Sequence, residues 1–133
     1  MAKIWIADDD LFYRKLISEA LIEQGHQVWT MHNGLNVMHL LSEDPPDLLI
    51  LDVFMAQKNG VELLTEINRV SETKGMKRMP VIVISGDDSI STELAVRKAK
   101  ANRFLLKPFQ KEEIVRVVND LLELSKERAK AQS

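Results

Sequence analysis

Apolar residues along this chain follow two alternating patterns, short unbroken runs and longer stretches in which apolar positions recur every three or four residues. Residues 3–7, 48–51, 81–84 and 104–106 form the runs, and residues 48–51 are uniformly apolar, as suits a central strand covered on both faces. Residues 27–31 predict one more strand, less apolar than the others. Between the runs, Phe12, Leu16, Ile17, Ala20 and Leu21 keep helical spacing, and Gly25 stands where a left-handed helix stop is expected. Asn33-Gly34 turns the chain into a short helix through Val37, Leu40 and Leu41. Asp44-Pro45-Pro46-Asp47 cannot continue that helix, because proline lacks the backbone donor and restricts the residue before it. Gly60 ends a loop ahead of a helix marked by Val61, Leu64, Ile67 and Val70, and residues 71–79 read as a long polar connection.

The stretch 90–101 is only weakly amphipathic, with Leu94 and Ala95 expected inward and Arg97, Lys98 and Lys100 outward, so this helix is expected to be poorly anchored. Ile114, Val117, Val118, Leu121 and Leu122 mark a final helix. The folded body is expected to span residues 1–124, and the charged residues 125–133 read as a fraying helix end or the start of a linker. Strand and helix thus alternate throughout, the signature of βαβ units and an α/β fold with a parallel sheet covered on both faces.

A length of 133 residues fits one domain, and a chain of this size can bury roughly two thirds of its unfolded surface. Lys and Arg number 18 against 20 Asp and Glu, a net charge of -2 that argues against a dedicated nucleic-acid binder. The absence of cysteine excludes disulfides and thiolate metal sites. No apolar segment approaches the roughly 20 residues of a membrane span, and no targeting segment is evident, so a soluble, cytoplasmic protein is expected.

The chemistry collects where the runs stop. Residues 4–7 end at Asp8-Asp9-Asp10, 48–51 at Asp52, 81–84 at Ser85, and 104–106 at Lys107-Pro108. In a parallel sheet the carboxyl ends of the strands share one edge, where ligands bind. Carboxylates gathered there repel one another, which either raises a pKa or calls for a cation. Hard oxygen ligands select Mg²⁺ or Mn²⁺, and Mg²⁺ typically shares its shell with waters and phosphate oxygens. Taken singly, each residue has a plainer explanation: Asp8 or Asp9 can cap the first helix, Ser85 can sit in any loop, and Lys107 can be a solvated lysine. Together the set points to phosphoryl chemistry.

An acid pair, then Asp, then Ser, then Lys-Pro, each at a strand end, resembles the receiver domain of two-component response regulators over residues 3–124. The resemblance implies a doubly wound, flavodoxin-like five-stranded parallel sheet of order 2-1-3-4-5. It implies that Asp52 accepts a phosphoryl group from a histidine kinase or phosphotransfer protein. Asp9, with Asp8 behind it, would hold Mg²⁺ or Mn²⁺ together with Asp52 and the backbone carbonyl of Phe54. Lys107 would contact a carboxylate at rest and a phosphoryl oxygen afterwards, Ser85 would donate to another oxygen, and the Lys107-Pro108 peptide would be cis. Ser85 and Phe104 would be the switch residues reporting to a downstream protein or effector domain, with a homodimer through the fourth helix, fifth strand and last helix as one form of output. Such a domain carries a phosphoryl group and loses it again; it is not a turnover enzyme.

The chain departs from the family in places. Ala56 stands where many relatives carry proline, Gly86 where a small alanine is usual, and Ala101-Asn102-Arg103 replaces the familiar turn before the last strand. Phe54 and Asp87 lie two residues beyond Asp52 and Ser85, beside the expected route of the hydrolytic water, and bulky Phe54 is expected to shield the phosphoaspartate. His26, His32 and His39 have no metal-ligand spacing, Trp5 and Trp29 are expected to pack, the methionines form no stripe, and Lys98, Lys100 and Arg103 make a small solvated basic patch. A phosphorylation-independent interaction module of the same fold is the alternative. A Mg²⁺-dependent phosphatase would want an acid at position 54, and a flavin carrier would want a Gly/Ser/Thr-rich phosphate loop where Asp8-Asp9-Asp10 would repel phosphate.

Overall fold

A computed structural model describes residues 1–55, 58–75 and 77–132; the expectations for Ala56 and Met76 lie outside these. The elements run β1 (Lys3–Ala7), α1 (Leu11–Glu23), β2 (Gln27–Met31), α2 (Leu35–Glu43), β3 (Leu48–Asp52), α3 (Gly60–Lys74), β4 (Val81–Ser85), α4 (Ile90–Lys98), β5 (Arg103–Leu106) and α5 (Lys111–Gln132). The five strands are parallel throughout and ordered β2-β1-β3-β4-β5, as the resemblance implied.

Side chains alternate across a pleated strand, and here the alternation sorts two cores. Ile4, Ile6, Leu48, Ile50, Ile82 and Ile84 face one side with Ile17, Leu21, Ile114 and Val118 of α1 and α5. Trp5, Ala7, Leu49, Leu51, Val81 and Val83 face the other with Val37, Leu63, Leu64, Ile67 and Val96 of α2, α3 and α4. All five residues of β3 are buried, so the central strand has no solvent face. Truncating any one of its leucines to alanine would cost about 2 to 5 kcal/mol.

Several local expectations change. In α1 the inward stripe passes through Tyr13, Ile17 and Ala20–Leu21, which leaves Phe12 on the outside and exposed. Residues 71–74 continue α3 instead of forming a connection, and the stop is Gly75, whose φ of 65° is one that favours glycine. Helix α4 ends at Lys98, with Val96 as its buried residue; Leu94 is exposed. One inward residue on a nine-residue helix is the weak anchoring that the poor amphipathy predicted. Trp5 is core, but Trp29 is half exposed because β2 is an edge strand with little cover. Met31, Met38, Met55 and Met79, scattered in sequence, pack around one core cluster. The charged residues after Leu124 continue α5 as helix to Gln132.

Candidate phosphoacceptor site

Strand register explains why the acids meet. Ile6 pairs with Ile50 and Ala7 with Leu51 across β1 and β3, so one further step sets Asp8 level with Asp52. Both continue the even-numbered row that faces α1 and α5. Asp8 is fully buried and Asp52 is 4% exposed, whereas Asp9 is exposed. Capping falls to Asp10, whose carboxylate accepts the Phe12 N–H at 2.9 Å. Asp8 and Asp9 are therefore not consumed as the cap of α1. Asp8 is instead held in place: its Oδ1 accepts the Asp10 N–H at 2.9 Å, and its carbonyl accepts from Arg14 Nη1 at 2.8 Å.

Lys107 enters from the end of β5, its own N–H donating to the Ser85 carbonyl at 2.8 Å. Its ammonium lies 3.0 Å from Asp8 Oδ2 and 3.5 Å from Asp52 Oδ2, so the resting contact favours Asp8. The Lys107-Pro108 peptide is cis. Ser85 is fully buried at the end of β4, and its Oγ accepts the Asp87 N–H at 3.0 Å. Among the described residues no acceptor takes the Ser85 hydroxyl hydrogen. Phe104 is partly buried against the α2–α4 side core, and Phe54 is exposed two residues beyond Asp52.

Electrostatics follow from this burial. The Asp52 carboxyl is pushed from 3.8 up to about 7, first by desolvation, then by repulsion from Asp8, with Lys107 pulling the other way. Burial alone would lower the Lys107 pKa, but hydrogen bonding to Asp8 and the charges of Asp52, Asp8 and Asp10 outweigh it, and the ammonium stays protonated above its ordinary range.

One carboxylate oxygen from each of Asp8, Asp9 and Asp52 lies within 4.8 Å of the others, the one His/Cys/Asp/Glu grouping of ligating geometry among the described residues. Three hard oxygen donors, crowded where burial and mutual repulsion penalise their negative charge, fit a divalent cation such as Mg²⁺. The histidines lie elsewhere: His26 Nδ1 accepts the Ala2 N–H, and His39 sits 3.4 Å from Glu43 along α2. Lys98, Lys100 and Arg103 are exposed, as expected.

Three contributors were not read from the sequence. Gly60 opens α3 directly against the end of β3, where a Cβ would sit 2.1 Å from the Asp52 carbonyl oxygen. Tyr13 places its ring 4.4 Å from Lys107 Nζ. Arg14 clamps the Asp8 carbonyl. The positions of Tyr13 and Arg14 one turn into the helix after the acids were the available signal.

The response regulator receiver domain model matches residues 4–119. The chain belongs to the response regulator receiver family. It is 30% identical over 131 residues to the response regulator MprA of Mycobacterium avium strain 104, covering 98% of this chain and 55% of that protein. The chain thus spans about half the length of the curated relatives it matches. Among solved structures, NtrX from Brucella abortus superposes with a TM-score of 0.85 at 27% identity, covering 98% of this chain and 29% of that one. The receiver domain of the Francisella response regulator 1452 does so at 0.81 and 25% identity, covering 94% and 99%. Receiver domains generally bind Mg²⁺ at an acidic pocket, and this chain carries an acidic cluster in Asp8, Asp9 and Asp52. Among the described residues no helix is long and apolar enough to cross a membrane.

Proposed function

We propose that this receiver takes a phosphoryl group on Asp52 from a phosphohistidine of a kinase or phosphotransfer protein and uses it to control a partner or effector domain. The observation that carries the reading is the buried Asp52 carboxyl held beside Asp8, Asp9 and the Lys107 ammonium at one sheet edge. An Asp52 oxygen forms the new P–O bond as the donor P–N bond breaks, and the departing imidazole nitrogen takes a proton. Asp9, Asp52 and the Phe54 carbonyl, with Asp8 behind, would hold a divalent ion, which would neutralise charge on the phosphoryl oxygens. Lys107, which rests against Asp8 and more distantly Asp52, moves to contact a phosphoryl oxygen, and Ser85 donates its hydroxyl to another. Water later attacks phosphorus and restores the carboxylate, so the domain is a self-limiting carrier and not a turnover enzyme. A cytoplasmic location follows from the donor.

The switch reading gains support from a short relay. The Asp87 N–H donates to Ser85 Oγ, and the Asp87 carboxylate accepts from the Ser89 N–H at 2.8 Å and from Thr92 Oγ1 at 2.7 Å. Rotation of Ser85 toward a phosphoryl group deprives Asp87 of its partner and disturbs the first turn of α4. Within that helix only Val96 is buried, and Phe104 lies against the same core.

The test is Mg²⁺-dependent incorporation of one phosphoryl group from acetyl phosphate, lost in Asp52→Asn. Uptake that ignores Mg²⁺ or survives Asp52→Asn refutes the assignment. Partner affinity indifferent to both Mg²⁺ and beryllofluoride would mark a phosphorylation-independent module.

A further inference from the structure

We propose that Tyr13 is a positioning residue for Lys107, fixing the ammonium for phosphoryl transfer through the face of its ring. The inference rests on Asp52 being the phosphoacceptor.

Lys107 Nζ is approached from three directions: Asp8 Oδ2 at 3.0 Å, Asp52 Oδ2 at 3.5 Å, and the Tyr13 ring centroid at 4.4 Å. The lysine side chain is only 12% exposed, so water screens these contacts weakly. A cation over an aromatic face within about 6 Å is held by the ring quadrupole, and more strongly when desolvated. The two carboxylates and the ring differ in constancy. Attraction to Asp52 changes when that group gains or loses a phosphoryl group, because its charge changes. Attraction to the ring does not, since the quadrupole is fixed. Tyr13 therefore keeps the ammonium at the mouth of the site while its charged partners alter.

The ring is itself braced. Phe12 meets it edge-on at 5.1 Å and 87°, and Phe109 lies 5.3 Å away at 46°. Phe109 is buried and stands two residues beyond Lys107. Tyr13 thus touches the lysine's charged end and packs against the segment that carries its backbone. The phenol hydroxyl has no part in this, so phenylalanine should serve as well.

The experiment uses the full chain with Tyr13→Leu, Tyr13→Phe, Lys107→Met and the double variant Tyr13→Leu/Lys107→Met. Phosphorylation by acetyl phosphate at saturating Mg²⁺ should slow about three- to tenfold in Tyr13→Leu, the range expected for a partly desolvated cation–π contact. Tyr13→Phe should stay within about twofold of wild type on the same grounds. Beryllofluoride affinity should fall in Tyr13→Leu, and Tyr13→Leu should have no added effect in the Lys107→Met background. The Lys107 ε-methylene protons should show an upfield ring-current shift that Tyr13→Leu abolishes and Tyr13→Phe keeps. A purely structural role for Tyr13 would give effects that multiply with those of Lys107→Met. That result, or wild-type rates in Tyr13→Leu, overturns the proposal. Absence of phosphoryl uptake by the wild-type protein would instead overturn the phosphoacceptor reading, and this inference with it.

Discussion

Replacing Asp52 by asparagine should stabilise the metal-free protein, and more so as pH rises. The Asp52 carboxyl titrates near 7 in the folded chain against 3.8 ordinarily. At 1.36 kcal/mol per pH unit, that gap corresponds to on the order of 4 kcal/mol between the protonated and ionised forms. Because the residue is only 4% exposed, solvent screening does little to reduce it. The folded state binds this proton more tightly than the unfolded state does. Its contribution to stability is complete below pH 3.8 and is lost as pH rises through about 7. From about pH 5 to about pH 8.5 the wild type should forfeit on the order of 3 kcal/mol, roughly two pH units below the folded midpoint at about 1.4 each. Asp52→Asn carries no such proton, so the difference between the two proteins reports on this carboxyl together with its charge coupling to Asp8 and Lys107. Urea denaturation with a chelator present, at pH 5, 7 and 8.5, measures it. The advantage of Asp52→Asn should widen by roughly that amount, and Mg²⁺ added at pH 8.5 should narrow it by binding the folded wild type. A pH-independent difference, or a wild type more stable than the variant at pH 8.5, would show that burial and Asp8 do not strain this carboxylate.

Other perturbations probe the surroundings. Gly60→Ala forces a Cβ to within 2.1 Å of the Asp52 carbonyl oxygen and 2.9 Å of its carbon, both backbone atoms that yield only if the strand shifts. It should cost about 1 to 3 kcal/mol in urea melts and slow phosphorylation, because β3 must move; wild-type values for both would refute the contact. Phe54→Asn should shorten the phosphoaspartate lifetime severalfold by removing an exposed hydrophobic shield, and equal dephosphorylation rates would discard that role. Val96→Ala removes the buried residue of α4. It should speed amide exchange over residues 90–98 far more than in β1 or β3; uniform acceleration would mean that α4 unfolds only with the whole domain.

Much of the molecule was readable because its signals are local. Unbroken apolar runs gave the strands to within a residue, since a strand buried on both faces such as β3 has no solvent side on which to place polar groups. The helices were visible where an inward stripe is dense, as in α5, and blurred where it is thin. Residues 71–74 looked like a loop because Ser71, Glu72, Thr73 and Lys74 are polar, yet helical hydrogen bonding continues to Gly75 without needing an apolar face. The same thinness put Leu94 inward when the buried position is Val96.

The identities of Asp8, Asp9, Asp52, Ser85 and Lys107, and their place at strand ends, were written in the order of residues along the chain. Their division of labour was not. That Asp10 caps α1, that Lys107 leans on Asp8 more closely than on Asp52, and that Tyr13 faces the ammonium all depend on distances between segments remote in sequence or on the turn of a helix. Composition and periodicity record which side of an element meets water, a property each residue carries alone. Ion-pair geometry and desolvation arise only when strands register and helices pack, which is why the raised pKa of Asp52 became legible after folding brought Asp8 level with it.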